Sequence, residues 1–284
     1  MKPIRAVAVL PTLLTLGNLI CGFFAIVVAS RIDKPGAVDF VPAPRIESAR
    51  QLILSSDPTH NLMLCGALIL LAMLFDAVDG QVARLTRGIS DFGAQLDSLC
   101  DLVSFGIAPA FLLVKMCPQF ASLHSEAIWS IAGLFACCAA LRLARFNVET
   151  DSEDDHTSFA GLPTPAAAAV IASFAVLSFK LRNEINHENY IGYDWWMQRL
   201  LPVFSVLIAL LMVSRIRYPH PLTQFVRGQR SFAHIVGVLF SVMALSIVPG
   251  YAVPILCLLF VGGPPLKFAW QVLWNRRAQE EPLF

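Results

Sequence analysis

Four aspartates, Asp76, Asp79, Asp97 and Asp101, interrupt sequence that is otherwise apolar enough to lie in a membrane. The stretch reads D-A-V-D-G-Q-V-A-R-L-T-R-G-I-S-D-F-G-A-Q-L-D-S-L-C-D. Asp76 and Asp79 are spaced i, i+3, with Gly80 and Ala83 on the same helical face. Asp97 and Asp101 are spaced i, i+4, with Gly93 one turn before them. Each pair therefore projects from one stripe of its helix. A turn at Gly88, where Thr86-Arg87-Gly88 breaks the apolar pattern, makes the two helices an antiparallel hairpin. At roughly 1.5 Å of rise per residue, Asp76 and Asp101 lie about 18 Å from that turn, and Asp79 and Asp97 about 14 Å. The hairpin thus sets two carboxylates opposite two. Each charged Asp costs roughly 2.5–3.5 kcal/mol at a bilayer centre, so four cost on the order of 10 kcal/mol, less in a wet cavity. Uncompensated, they also repel one another. Bound divalent cations remove both penalties, and hard carboxylate oxygens suit Mg²⁺ or Mn²⁺.

The elements that carry these residues must be membrane helices. Of 284 residues, 56% are hydrophobic and only 14% charged, whereas soluble domains carry about 25% charged residues. The fold class expected is an all-α integral membrane protein. About eight transmembrane helices are expected, at 6–30, 61–86, 89–114, 126–147, 165–180, 200–214, 232–249 and 251–271. They form a single membrane domain over 1–284, with a catalytic core at about 6–180 and additional C-terminal helices at about 200–271. Placing the 21 Lys and Arg residues on alternate sides, with the N-terminus inside, puts the larger share inside. That obeys the positive-inside rule, so the active site opens to the cytoplasmic side of the bundle. Residues 6–30 follow Lys2 and Arg5 as a secretory leader would, but the apolar run exceeds the usual h-region and is read as a retained helix.

The remaining features are quieter. The connection 31–60 is polar, bears prolines and lies on the outer side, with a short interfacial helix expected between Ile46 and Leu54. The run Asp151 to Asp155 reads as a solvated acidic loop. Trp195 and Trp196 near Arg199, and Trp270 and Trp274 near Arg276, read as interfacial anchors. Seven cysteines show no C-x-x-C spacing, and most serve as small hydrophobes. His234, alone in an apolar span, reads as a packing residue. A net charge of +1 says little about partners; membrane lipids are expected and nucleic acid is not.

The pattern D-x2-D-G-x2-A-R-x8-G-x3-D-x3-D, formed by Asp76, Asp79, Gly80, Ala83, Arg84, Gly93, Asp97 and Asp101, matches every specified position of a known signature. On it the chain resembles the CDP-alcohol phosphatidyltransferase family, multi-span enzymes that displace CMP from a CDP-linked lipid or alcohol with an acceptor hydroxyl. Four further stretches are similar to the membrane-type CDP-diacylglycerol–serine O-phosphatidyltransferases within that family. They are P-T-L-L-T-L-G-N-L-I-C-G from Pro11, D-L-V-S-F-G from Asp101, R-L-A-R-F-N from Arg142 and G-L-P-T-P from Gly161. The likeness covers roughly residues 10–170. The long 31–60 connection departs from the compact first loop expected, on the side away from the chemistry.

The resemblance implies transfer of a phosphatidyl group from CDP-diacylglycerol to L-serine. Asp76, Asp79 and Asp97 would be metal ligands, and Asp101 a ligand, the general base, or both. Two cations about 3.5–4 Å apart would neutralise the pyrophosphate and the leaving CMP. A homodimer in the cell inner membrane is usual for the family. Gly80, Ala83 and Gly93 either let the nucleotide approach the backbone or allow close helix packing. Arg84 binds a phosphate or marks orientation. Arg142 and Arg145 contact the serine carboxylate or lipid phosphates, or snorkel to the headgroups. Thr15 and Asn18 reach the cytidine or make an interhelical hydrogen bond. Other acceptors, glycerol 3-phosphate or inositol phosphate, keep the chemistry and change the product. A cation transporter is the reading of another class, but it does not require the clustered Gly80, Ala83, Arg84 and Gly93. A catalytically dead paralogue is disfavoured because every signature residue is present.

Overall fold

A computed structural model of the chain describes residues 9–32, 58–85, 91–150, 158–184, 187–219, 243 and 248–280. It is almost wholly helical. In chain order the elements are α1 (Val9–Ser30), α2 (Pro58–Leu85), α3 (Asp91–Asp101), a π-helical segment (Leu102–Ile107) and α4 (Ala108–Met116). Then follow the short α5 (Pro118–Leu123), α6 (Ser125–Thr150), β1 (Ser158–Ala160), α7 (Thr164–Glu184), α8 (His187–Val213), β2 (Arg217–Pro219) and α9 (Pro249–Glu280). Seven helical stretches among the described residues are long and apolar enough to cross a membrane, with α3, the π segment and α4 forming one of them. The chain is an integral membrane protein. The expected span at 232–249 lies almost entirely outside the described residues, as do the Gly88 turn, the 33–57 connection, the acidic run 151–155 and His234.

Two spans are longer than hydropathy alone marks. α7 runs on to Glu184 instead of stopping near 180, and α8 begins at His187 instead of 200. Polar side chains in these extensions find partners along the helix or on a neighbour. Gln198 donates to Asp194 at 2.6 Å, and the Arg199 guanidinium sits 3.8 Å from the Trp195 ring centroid. Lys180 pairs with Glu184 at 3.6 Å, and Glu184 accepts from the Tyr251 hydroxyl at 2.6 Å, tying α7 to the start of α9. Trp195 and Trp196 are exposed on α8, inside the apolar stretch Asn189–Val213.

Close approach in the core depends on small residues. Ala167, Ala168, Ala172 and Ala175 of α7 are buried, and a Cβ at Gly66 of α2 would stand 2.6 Å from the Ala172 carbonyl oxygen. Without hydrophobic drive in lipid, such close packing is what holds helices together. α1 lies along α2 over its length and also contacts α3 and the π segment, while α7 packs on α2, α8 and α9. One departure from pure helix is a two-stranded antiparallel ribbon, with Phe159 paired to Tyr218. Gly161, at φ 86°, turns the chain out of this ribbon, and the Gly161 and Leu162 N–H groups donate to the Ile216 and Leu211 carbonyls. The G-L-P-T-P stretch is therefore a tied entry into α7.

Candidate active site

The two aspartate helices reach the site by different routes. Asp76 and Asp79 lie near the C-terminal end of α2; Asp97 and Asp101 close α3. The expected hairpin packs less directly than its arithmetic implies. Contact between α2 and α3 is slight, and both lie against α1. α1 thus acts as the shared wall, and the aspartate faces converge beside it.

The convergence brings carboxylates together. One oxygen each from Asp76, Asp97 and Asp101 lies within 4.8 Å of the other two. Asp79 is buried at 4% exposure, and its carboxylate interacts electrostatically with that of Asp97. Three site oxygens, Asn18 Oδ1, Asp79 Oδ2 and Asp97 Oδ1, are buried with no hydrogen-bond partner among the described residues. Buried carboxylate oxygens without donors are costly, and an all-oxygen set of this kind suits a hard divalent cation. The donor set fits such an ion on both counts.

The residues of α1 face the cluster. Asn18 is fully buried and donates from Nδ2 to Asp101 Oδ1 at 2.9 Å. The Thr15 hydroxyl stands 3.0 Å from the Pro11 carbonyl and also within reach of Asp79, and its rotor can serve either. Of the two expectations for Asn18, the interhelical hydrogen bond is present, and its partner is an aspartate of the site. Among the described residues a Cβ at Gly80 would meet nothing within 4 Å, so no described helix packs on this glycine. Gly93 is half-buried on α3. The side chains of Ala83 and Arg84 lie outside the described residues.

A cation approaches from the opposite wall. Arg142 of α6 donates to the Thr164 hydroxyl at 3.2 Å, lies 5.8 Å from the Phe146 ring centroid and interacts electrostatically with Asp101 and Asp76. Thr164 is the buried first residue of α7, set in place by the tied Gly161–Leu162 turn. Arg145 is half-buried one turn further along α6. Two contacts were missed by residue-by-residue reading. Ser98, one residue after Asp97, approaches Asn147 Oδ1 at 3.1 Å and so ties α3 to α6. Ser104 donates to the Asn18 carbonyl at 3.0 Å. Thr164, Asn147 and Ser104 all fall in motifs visible in the sequence, which was the available signal; their partners were not visible.

Over 153 residues the chain is 40% identical to a Methanocaldococcus jannaschii protein named CDP-diacylglycerol–serine O-phosphatidyltransferase, covering 54% of this chain and 62% of the relative. An archaetidylserine synthase of Methanothermobacter thermautotrophicus is 35% identical over 170 residues, 59% of this chain and 62% of the relative. A Bacillus subtilis protein named CDP-diacylglycerol–serine O-phosphatidyltransferase is 29% identical over 213 residues, 74% of this chain and 90% of that protein. The chain thus spans less than two thirds of the length of the first two relatives. A model of the CDP-alcohol phosphatidyltransferase family matches residues 8–211, a segment that holds all four aspartates, Asn18, Arg142 and Thr164. With nearly the whole described core and every site residue inside that match, the chain belongs to the CDP-alcohol phosphatidyltransferase family.

Proposed function

We propose that the protein transfers the phosphatidyl group of CDP-diacylglycerol to L-serine, yielding phosphatidylserine and CMP. The observation that carries this reading is the approach of Asp76, Asp97 and Asp101 to within 4.8 Å, between Asn18 on one wall and Arg142 on the other. The names of the relatives support serine as the acceptor. In this reading Asp76, Asp79, Asp97 and Asp101 hold a pair of divalent ions, Mg²⁺ or Mn²⁺. When bound, the ions supply charge neutralisation for the pyrophosphate and the departing CMP.

The rest is the work of the chain. Open space at Gly80 admits the nucleotide against the α2 backbone, with Ala83, Gly93, Thr15 and Asn18 completing its surroundings. Arg142, Arg145 and Arg84 bind the phosphates or the serine carboxylate. Asp101 accepts the serine hydroxyl proton as the serine oxygen bonds to the lipid-linked phosphorus and the bond from that phosphorus to the CMP oxygen breaks. The site faces the cytoplasm of a cell inner membrane, as the distribution of Lys and Arg supports, and the enzyme works as a homodimer. Residues 6–180 carry the catalysis, and the later helices complete one membrane domain.

The test is CMP release by purified protein in CDP-diacylglycerol vesicles with Mn²⁺. Release only when serine is added, and its loss in Asp101→Asn, is the expected result. Release driven by glycerol 3-phosphate or inositol phosphate instead discards the acceptor. Metal flux across the vesicle without CMP release discards the enzyme.

A further inference from the structure

Two of the motifs picked out in the sequence meet at one point in the fold. Gly22 closes the first, P-T-L-L-T-L-G-N-L-I-C-G, and Ser104 lies in the second, D-L-V-S-F-G. A Cβ at Gly22 would come within 2.7 Å of the Ser104 Cα, so a glycine is what lets α1 touch the helix at this level. Ser104 is fully buried, and its hydroxyl donates to the Asn18 main-chain carbonyl at 3.0 Å. The Asn18 side chain in turn donates to Asp101 at 2.9 Å. One residue of α1 is therefore gripped at its backbone by Ser104 and grips the site aspartate with its side chain.

The local helix geometry is unusual where this double grip is made. In a regular α-helix Ser104, three residues after Asp101, shares the face of Asp101. Here the helix widens to a π turn over Leu102–Ile107, closed by the Ala108 N–H donating to the Val103 carbonyl. An i→i+5 turn is less favourable than an α turn and concentrates at functional sites. Ser104 lies within this turn and, like Asp101, meets α1 at Asn18, and Gly106 behind it packs against Leu102 and Ala139.

We infer that Ser104 is a positioning residue: by holding the Asn18 carbonyl it fixes the Asn18 amide against Asp101, and so presents that carboxylate to Asp76 and Asp97 in one orientation. The inference rests on the reading of the aspartates as a divalent-metal site and adds to it a residue that touches neither metal nor substrate. Close packing against Gly22 needs only a small side chain, which alanine would supply; orientation of Asp101 needs the hydroxyl.

Ser104→Ala separates the two roles. Mn²⁺ binding to the full chain, read from the loss of the free-ion electron paramagnetic resonance signal, is expected to weaken about tenfold, and kcat for CMP release to fall tenfold or more. KM for CDP-diacylglycerol and serine should stay within about twofold, with the melting temperature unchanged. Ser104→Cys, a weaker donor of similar size, should fall between the two. Wild-type Mn²⁺ affinity and turnover in Ser104→Ala overturn the inference and leave the metal-site reading intact. A fall in kcat that only follows a loss of folded protein, with unchanged Mn²⁺ affinity in the folded fraction, also overturns it. If wild-type protein neither binds Mn²⁺ nor releases CMP, the metal-site reading fails and this inference fails with it.

Discussion

At the scale of single residues, the site is a set of unfavourable choices that make sense together. Three carboxylates approach one another and a fourth is buried beside them, in an environment that weakens charge far less than water does. Asp101 accepts from the Asn18 amide, and Asp79 from the Gly80 backbone N–H. In the proposed reading, the fold is therefore destabilised by its own site until a cation binds. Asp97→Asn is expected to raise the melting temperature of metal-free protein while abolishing the response to Mn²⁺; a lowered melting temperature without metal would show that repulsion is not the dominant cost there. Gly80 supplies a second signed prediction. Because no described residue lies within 4 Å of a Cβ there, Gly80→Ala should leave stability unchanged or raise it by about 0.5–1 kcal/mol, as glycine-to-alanine changes in helices do. The same methyl should raise KM for CDP-diacylglycerol about tenfold if the nucleotide lies against this face. Thermal melting of the variant checks the first half, and substrate titration with the folded variant checks the second.

At the scale of elements, α1 and the entry to α7 decide whether the aspartates meet. α1 touches α2, α3 and the π segment, while α2 meets the second aspartate span mainly at the π segment and α4, so at the level of the aspartates the two helices are aligned largely through a common neighbour. Gly22 and Gly66 mark crossings where a Cβ has no room. On the other wall, Gly161 adopts φ 86°, and a Cβ there would run into the Met212 carbonyl. Gly161→Ala therefore meets both a left-handed backbone and a steric overlap, and is expected to destabilise by about 1–3 kcal/mol. Because that turn sets Thr164, and Thr164 anchors Arg142, CMP release by the folded fraction should also fall. Thermal melting followed by turnover at a temperature where the variant is still folded separates the two effects. Normal turnover per folded molecule would detach the turn from the site.

At the scale of the whole molecule, binding and folding are linked through the same cluster. A ligand held only by the native state stabilises it by RT ln(1 + [L]/Kd), about 2.7 kcal/mol at a hundredfold excess over Kd. Mn²⁺ should raise the melting temperature of the detergent-solubilised protein, chelation should reverse the shift, and the shift should be absent in Asp76→Ala. An equal shift in that variant would place the ion elsewhere. The seven described spans are kept tight by small side chains where α7 crosses its neighbours, with larger ones such as Phe105, Phe135 and Leu112 filling the core beside them.

Membrane-grade composition and eight residue identities at set spacings were enough to place the chain in its family and to single out the four aspartates, because apolar length and the cost of intramembrane charge are properties of the sequence itself. The G-L-P-T-P and D-L-V-S-F-G stretches were recognisable as motifs but mute as structure. Only the tertiary fold turned the first into the tied turn that sets Thr164 for Arg142, and the second into a π turn lying against Gly22. It also decided that the aspartate helices meet through α1 and that polar ends extend α7 and α8 beyond their hydropathy. The reason is physical: which donor finds which acceptor across helices distant in sequence depends on where backbones can approach, and local periodicity carries no record of that.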